Sequence, residues 1–211
     1  MTGPNLILET QFLATHSLVA GMDEVGRGAF GGPVCVGLCV IDSSVGPVPQ
    51  GLKDSKLLSA SARGKLIKPI QEWAVATSVG EASAAEVDVH GIVGALRLAG
   101  MRALSAVDVV PDVIILDGSH NWLTPPAGDL FTEGDAFHSK VHMKVKADMT
   151  CASVAGASVV AKEHRDSLMR HLEADYPGYG WASHVGYGTA AHRAAIAKLG
   201  LSDAHRKSWK L

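Results

Sequence analysis

A chain of 211 residues is long enough for one full domain, which usually takes about 100–200. Apolar residues make up 47% and charged residues 19%, a balance that excludes a disordered or fibrous chain. The net charge of −2 hides a split, because residues 1–138 carry 8 Lys/Arg against 15 Asp/Glu and residues 139–211 carry 11 against 6, so a nucleic-acid partner is not excluded.

Taken in chain order, Ser17–Val25 and Pro33–Asp42 are short, branched and apolar runs flanking a glycine cluster, the pattern of two strands of a hairpin. Ser59 is placed to cap a helix whose inner face holds Leu66, Ile67 and Ile70, with Trp73 one turn on. Ala74–Gly80 predicts a third strand. A long helix follows from about Glu86, with Val89, Val93, Leu96, Ala103 and Val107 on one face, Gly91, Gly94 and Gly100 allowing close approach to a sheet, and Pro111 ending it. Asp112–Leu116 has the branched apolar character of a buried strand running into Asp117-Gly118. Lys140–Lys146 alternates, so Val141, Met143 and Val145 are predicted on one face and Lys140, His142, Lys144 and Lys146 on the other. Helices dominate from about Met149. An antiparallel hairpin followed by strand–helix alternation predicts an α/β domain built on a mixed sheet. No linker or repeat divides it, so residues 1–211 are expected to form one domain, with core sheet and helices over about 17–165 and a C-terminal helical part over about 166–211.

No uncharged apolar stretch reaches the roughly 18 residues of a membrane span, and the N-terminus has no basic n-region. Cys35, Cys39 and Cys151 form no CxxC pair, which fits a reducing, cytoplasmic setting better than a disulfide framework; Cys35 and Cys39 share a strand face, where packing is the expected role.

Gly26-Arg27-Gly28-Ala29-Phe30-Gly31 satisfies the GxGxxG pattern of dinucleotide binding. Its context contradicts that reading, because the pattern needs a helix N-terminus after the glycines, whereas Pro33 opens another strand. Asp23 and Glu24 just before it would also repel phosphates unless metal ions intervened. A tight turn explains the glycines but not the arginine between them, and Arg27 in a permissive backbone suggests a phosphate or sugar ligand.

Four carboxylates stand at strand ends or a helix start: Asp23, Glu24, Asp117 and Asp148. Each alone reads equally well as a turn residue, a cap or a surface charge. Adjacent strand residues also point to opposite faces, so Asp23 and Glu24 share a site only where the strand is ending or where Glu24 contributes its backbone oxygen or its longer reach. Gathered together they would repel one another and call for hard divalent cations, magnesium or manganese, with oxygen ligands only. Two such ions about 3.5–4 Å apart can activate a water and stabilise the leaving oxygen of an in-line displacement.

Five blocks occur in order: VAGMDEVGRGAFGGPV (19–34), GLKDSKLLS (51–59), VIILDG (113–118), KADMTCASVAGASVVAKEHRD (146–166) and YPGYGWASHVGYGTAAH (176–192). In these blocks the sequence resembles ribonuclease HII of the RNase H-like superfamily. The resemblance implies an RNase H-like mixed β-sheet flanked by helices with a C-terminal helical extension, and an endonuclease acting on the RNA strand of RNA/DNA hybrids and 5′ of single ribonucleotides embedded in duplex DNA. It also implies two divalent ions, Mn(II) or Mg(II), on Asp23, Glu24, Asp117 and Asp148, with the backbone of Gly26-Arg27-Gly28 reading the ribose 2′-hydroxyl. By the same resemblance Tyr187 stacks on the deoxyribose at the RNA–DNA junction, whereas its residue type alone would suit a core aromatic. Lys53, Ser55 and Lys56 are implied to face phosphates, although a solvated loop would look the same.

Three departures stand out. Ala147 replaces the glycine expected before Asp148, which predicts a less free backbone there; His90 stands where asparagine is common, and Val185 where lysine is. Losing that lysine would remove a phosphate contact and flatten the salt dependence of binding. With about 20 residues before Asp23, the extra N-terminal domain of ribonuclease HIII is not expected. A monomer is expected. The rival readings are a non-catalytic domain that binds hybrid duplexes through its basic C-terminal third, and another two-metal nuclease of the same superfamily.

Overall fold

β1 (Leu18–Val25) and β2 (Val34–Asp42) form the predicted hairpin, antiparallel from Leu18 opposite Asp42 to Val25 opposite Cys35. The computed structural model describes residues 3–124 and 138–210. β3 (Ala76–Ala82) adds antiparallel to β2, while β4 (Val113–Asp117) and β5 (Lys140–Lys144) add parallel on the far side of β1. The order β3-β2-β1-β4-β5 is therefore a mixed sheet, antiparallel where turns are short and parallel where helices cross over.

Side chains alternate across this sheet, and each face buries a different helix. Ala20, Met22, Val36, Leu38, Ile114 and Leu116 face α3 (Ala84–Ser105), where they meet Val87, Leu96, Ala99 and Ala103. Full burial of each large side chain contributes about 1.5–3 kcal/mol, so this layer is a principal source of stability. The other face packs on α5 (Ala152–Asp175), whose first three turns are buried all round and built of Ala, Gly, Ser and Val. Small residues are required there. A Cβ at Gly21 of β1 would overlap the backbone of Ser153 and Val154, and one at Gly37 of β2 would overlap the carbonyl of Ala157.

Ser59 caps α2 (Ala60–Trp73), its hydroxyl accepting from the Ala62 amide at 3.2 Å, and Leu66 and Ile70 are buried. A helix that periodicity did not suggest, α1 (Ile7–Leu13), lies beneath α5 and brings Leu8, Phe12 and Leu13 to the core. Its Glu9 is fully buried. The N-terminal residue of α5's cap, Cys151, offers no side-chain acceptor, and Glu9 Oε1 instead accepts from the Ser153 amide at 2.9 Å and its hydroxyl at 2.8 Å. After α4 (Ala147–Thr150) and α5 come α6 (Trp181–His184) and α7 (Ala190–Leu199). The division expected near residue 165 lies within α5.

Three expectations need correction. α3 ends at Ser105, well before Pro111, and Gly91 at φ +66° kinks it, so Val89 is turned out to solvent and 75% exposed. Gly80 of β3, not the helix glycines, permits the close contact, since a Cβ there would overlap the Ala99 carbonyl. On edge strand β5 only Val141 packs on the core; Met143 and Val145 are exposed among the described residues.

Replacing Glu9 with Ala should therefore strip α5 of its cap and cost about 1–2 kcal/mol, read as a lower urea midpoint with an unchanged slope.

Candidate active site

Met22 lies opposite Leu116 in the parallel pairing of β1 and β4, so the next residues along, Asp23 and Asp117, stand side by side at the carboxyl ends of two adjacent strands. Both belong to the α5 face. The close seating of α5 brings the Ser158 hydroxyl to the Asp23 carboxylate, and the Ser55 hydroxyl meets Ser158 at 2.8 Å. Asp117 Oδ1 accepts from the Ala147 amide at 2.7 Å, which ties it to the start of α4, where Asp148 is the next residue. Lys56 Nζ approaches Asp148 Oδ2 at 3.4 Å. Glu24 has the opposite strand parity, as expected of neighbouring positions, and pairs with Arg27 at 3.3 Å.

The electrostatics are those of crowded acids. Burial pushes the Asp23 carboxyl up to about 8, the Ser158 hydrogen bond opposes the rise, and the charges of Glu24, Asp117 and Asp148 add to it. Glu24 and Asp148 are also raised, chiefly by burial, each with Asp117 as a repelling neighbour. Lys56 responds in the opposite sense: burial disfavours its charge, yet Asp23, Asp54 and Asp148 hold its ammonium above the ordinary value.

An all-oxygen set short of positive charge fits a hard divalent cation. Among the described residues no three His, Cys, Asp or Glu side chains already close on a single point, so the acids form an open cluster and not a finished cage. Asp23, Asp117 and Asp148 are the residues that would hold the ion, with Glu24 at the margin.

The loop 26–32 between β1 and β2 lies beside this cluster, and its carbonyls are held from behind by two buried arginines. Arg206 donates to the carbonyls of Arg27 at 2.9 Å, Gly26 at 2.7 Å and Gly32 at 3.2 Å. Arg165 donates to Pro33 at 2.8 Å, Gly31 at 3.1 Å and Val185 at 2.9 Å. The Gly186 carbonyl accepts from the amides of Phe30 and Gly31, so the strip carrying Tyr187 is bonded directly to the loop. Tyr187 is 37% exposed, with the Arg165 guanidinium 5.7 Å from its ring centre. β2 follows the loop with no helix between, in line with the exclusion of a dinucleotide site.

The other expected contacts divide. Lys53 and Lys56 are exposed, whereas Ser55 is buried, so its hydroxyl serves the Ser158–Asp23 chain and does not face solvent. The conformational burden expected of Ala147 falls on Lys146, which takes φ +57°; Ala147 is helical and buried, and its amide holds Asp117. Val185 adopts φ +43°, a left-handed conformation unusual for a β-branched residue. His90 is exposed on α3.

Comparison with known proteins identifies the family and the fold. The sequence model for ribonuclease HII matches residues 20–211. This chain belongs to the ribonuclease HII family. It is 41% identical to a ribonuclease HII of Streptomyces avermitilis over 98% of its length and 83% of the relative, and 42% identical to one of Nitrosococcus oceani over 97% and 96%. The solved ribonuclease H2 of Pyrococcus horikoshii OT3 superposes with a TM-score of 0.70 at 25% identity, covering 92% of this chain and 94% of that one. The α/β sheet is thus of RNase H-like type, and as a ribonuclease HII the protein is a metal-dependent endoribonuclease. Among the described residues no helix is long and apolar enough to cross a membrane.

Sequence reasoning missed Ser158, Arg165 and Arg206. All three lie in α5 or the C-terminal segment and act on residues far away in the chain. Arg63 was missed as well: it donates to the Leu58 carbonyl at 2.9 Å and to Asp166 at 2.9 Å, and so fixes the loop that carries Lys53 and Lys56.

Because the Asp23 carboxyl is raised in the folded state, the metal-free protein binds more protons folded than unfolded between about pH 4 and 8, and loses stability as pH rises through that window. Asp23→Asn should be more stable than wild type at pH 8 in excess chelator, and should flatten the slope; thermal unfolding across pH reads both.

Proposed function

We propose that this ribonuclease HII cuts the RNA strand of RNA/DNA hybrids and incises on the 5′ side of single ribonucleotides embedded in duplex DNA, leaving a 3′-hydroxyl and a 5′-phosphate. The observation that carries the reading is the pair Asp23 and Asp117 at adjacent parallel strand ends, with Asp148 tied in through the Ala147 amide. Two divalent ions, Mn(II) or Mg(II), supply activation of a water and charge neutralisation at the leaving oxygen when bound.

The residues' own part is positioning. Asp23 and Asp117 serve as the central ligands, while Glu24 and Asp148 complete the set. The Glu24 amide, donating to Asp23 Oδ1 at 2.9 Å, and the Ala147 amide fix two of these carboxylates in rotation before substrate arrives, so less reorganisation is left for the reaction itself. With the loop carbonyls held by Arg165 and Arg206, the backbone of Gly26-Arg27-Gly28 is stiff enough to recognise a ribose 2′-hydroxyl, the group that separates RNA from DNA. Tyr187 stacks on the deoxyribose at the junction, and Lys53 and Lys56 face phosphates from the opposite loop. Free, buried thiols suit a reducing cytoplasm, and burial pushes Cys35 and Cys39 up to about 12, which keeps them inert. The acting unit is a monomer.

A duplex with one ribonucleotide tests the whole reading. Nicking in Mg(II) or Mn(II) should stop in excess chelator, and Asp117→Asn should lose roughly 10³-fold or more in rate with the fold intact by circular dichroism. Retention of the duplex without nicking would instead indicate a binding domain. For Tyr187→Ala the expected result is a larger loss on the single-ribonucleotide duplex than on long hybrids, measured as the ratio of kcat/KM values.

A further inference from the structure

Three histidines cluster behind Tyr187. His184 stacks on His192 with ring centres 4.4 Å apart, and His192 and His205 meet at 3.1 Å between their Nε2 atoms. His192 and His205 are both buried, between Trp181, Tyr179 and Phe30.

Three imidazoles suggest a metal, but every ring nitrogen is already used. The Ser202 amide donates to His205 Nδ1 at 2.9 Å, which makes that nitrogen an acceptor and places the proton of a neutral ring on Nε2. His192 Nδ1 faces the Tyr187 carbonyl at 3.0 Å, so it must be a donor, and its Nε2 must accept. The two assignments agree: His205 Nε2–H donates to His192 Nε2. His184 is consumed likewise, with Nε2 donating to the Tyr179 carbonyl at 2.7 Å and Nδ1 accepting from the Gly186 amide at 3.2 Å. One tautomer of each ring satisfies all five contacts. Both members of the pair are held neutral, as burial lowers His192 and His205, the latter to about 4 with His192 and Lys207 adding to the effect.

The relay runs in one direction, from the Ser202 amide through His205 and His192 to the Tyr187 carbonyl. We propose that it makes His192 and His205 positioning residues that set the placement of Tyr187, and with it the preference for a ribonucleotide–deoxyribonucleotide junction. Neither histidine faces substrate. Each acts through the backbone of Tyr187, which is otherwise held by the Thr189 amide at the same carbonyl and by the His184 carbonyl at its own amide. The strip needs such support, because Val185 just before it is in a left-handed conformation and Gly186 carries φ +83°. The inference rests on the junction role proposed for Tyr187.

His205→Ala removes the relay's donor to His192 and frees His192 to turn. Incision at a single ribonucleotide should then fall about tenfold more than cleavage of a long hybrid, which is the discrimination one hydrogen bond supplies. His205→Gln retains an N–H that reaches His192 and should restore most of the ratio. Each variant is assayed well below its own unfolding midpoint. If the alanine variant does not fold, His205→Phe replaces it, keeping ring volume against Tyr179 and Trp181 without either nitrogen. Equal losses on the two substrates, or no recovery with Gln, would overturn the proposal. Tyr187→Ala in the same series separates the two readings: a selective loss there without one in the His205 variants removes the relay alone, whereas equal losses for Tyr187→Ala remove the junction role and the relay with it.

Discussion

The seating of α5 on β1 and β2 is the constraint from which the rest of the molecule follows. Gly21 and Gly37 leave no room between helix and sheet, and the helix answers with Ala, Gly and Ser over its first turns. A helix this close does two things at once. It buries Asp23 away from water, and it delivers Ser158 as the hydroxyl that partly compensates that burial. A larger residue at either glycine would lift the helix, expose Asp23 and return it toward an ordinary surface carboxylate. The electrostatic tension of the cluster is thus produced by backbone packing more than by any acidic residue choice.

The opposite wall is organised by cations. Arg165 and Arg206 are fully buried, and among the described residues neither is neutralised by a direct ion pair; both donate to carbonyls of the loop 26–32 and its neighbours, while Arg206 Nε is buried there without a hydrogen-bond partner. Burial lowers Arg206 to about 10, with Arg165 close by, so the two guanidinium groups are held together against their repulsion. Carbonyl dipoles can do this because a charge-assisted hydrogen bond is roughly twice as strong as a neutral one. One wall of the site therefore gathers negative charge that lacks a counter-ion, and the other gathers positive charge satisfied by backbone dipoles.

What the sequence made legible was local. Branched apolar runs marked β1, β2 and β4, Ser59 announced α2, and the strand-end positions of Asp23 and Asp117 made them candidates for one site. What escaped depends on contacts across long separations. Glu9 looks like a surface acid until α5 covers it, and Arg165 and Arg206 look like solvated charges in a basic third. α1 is too short to display a helical period clearly, and its apolar residues turn inward only because α5 and β1 are there to receive them. Gly91 shifted the phase of α3, so a face read as continuous was two faces, and Val89 fell outside both. Ser55 was misplaced for a related reason: a serine in a charged loop looks solvent-facing, but Arg63 holds the loop's carbonyls and turns that hydroxyl inward.

Stability and function draw on different layers of the same sheet. The α3 face is a dense apolar layer with no duty at the site, whereas the α5 face carries the helix whose turns both pack the core and orient the acids. Tolerance to change should divide the same way, because a hydrophobic exchange of similar volume beneath α3 only repacks side chains. Beneath α5 there is no such freedom, since the contacts are backbone against backbone and a single methyl group moves the helix. Site geometry is protected there by the stiffest contact in the molecule, and the acids can be held in mutual repulsion because the element that holds them cannot move aside.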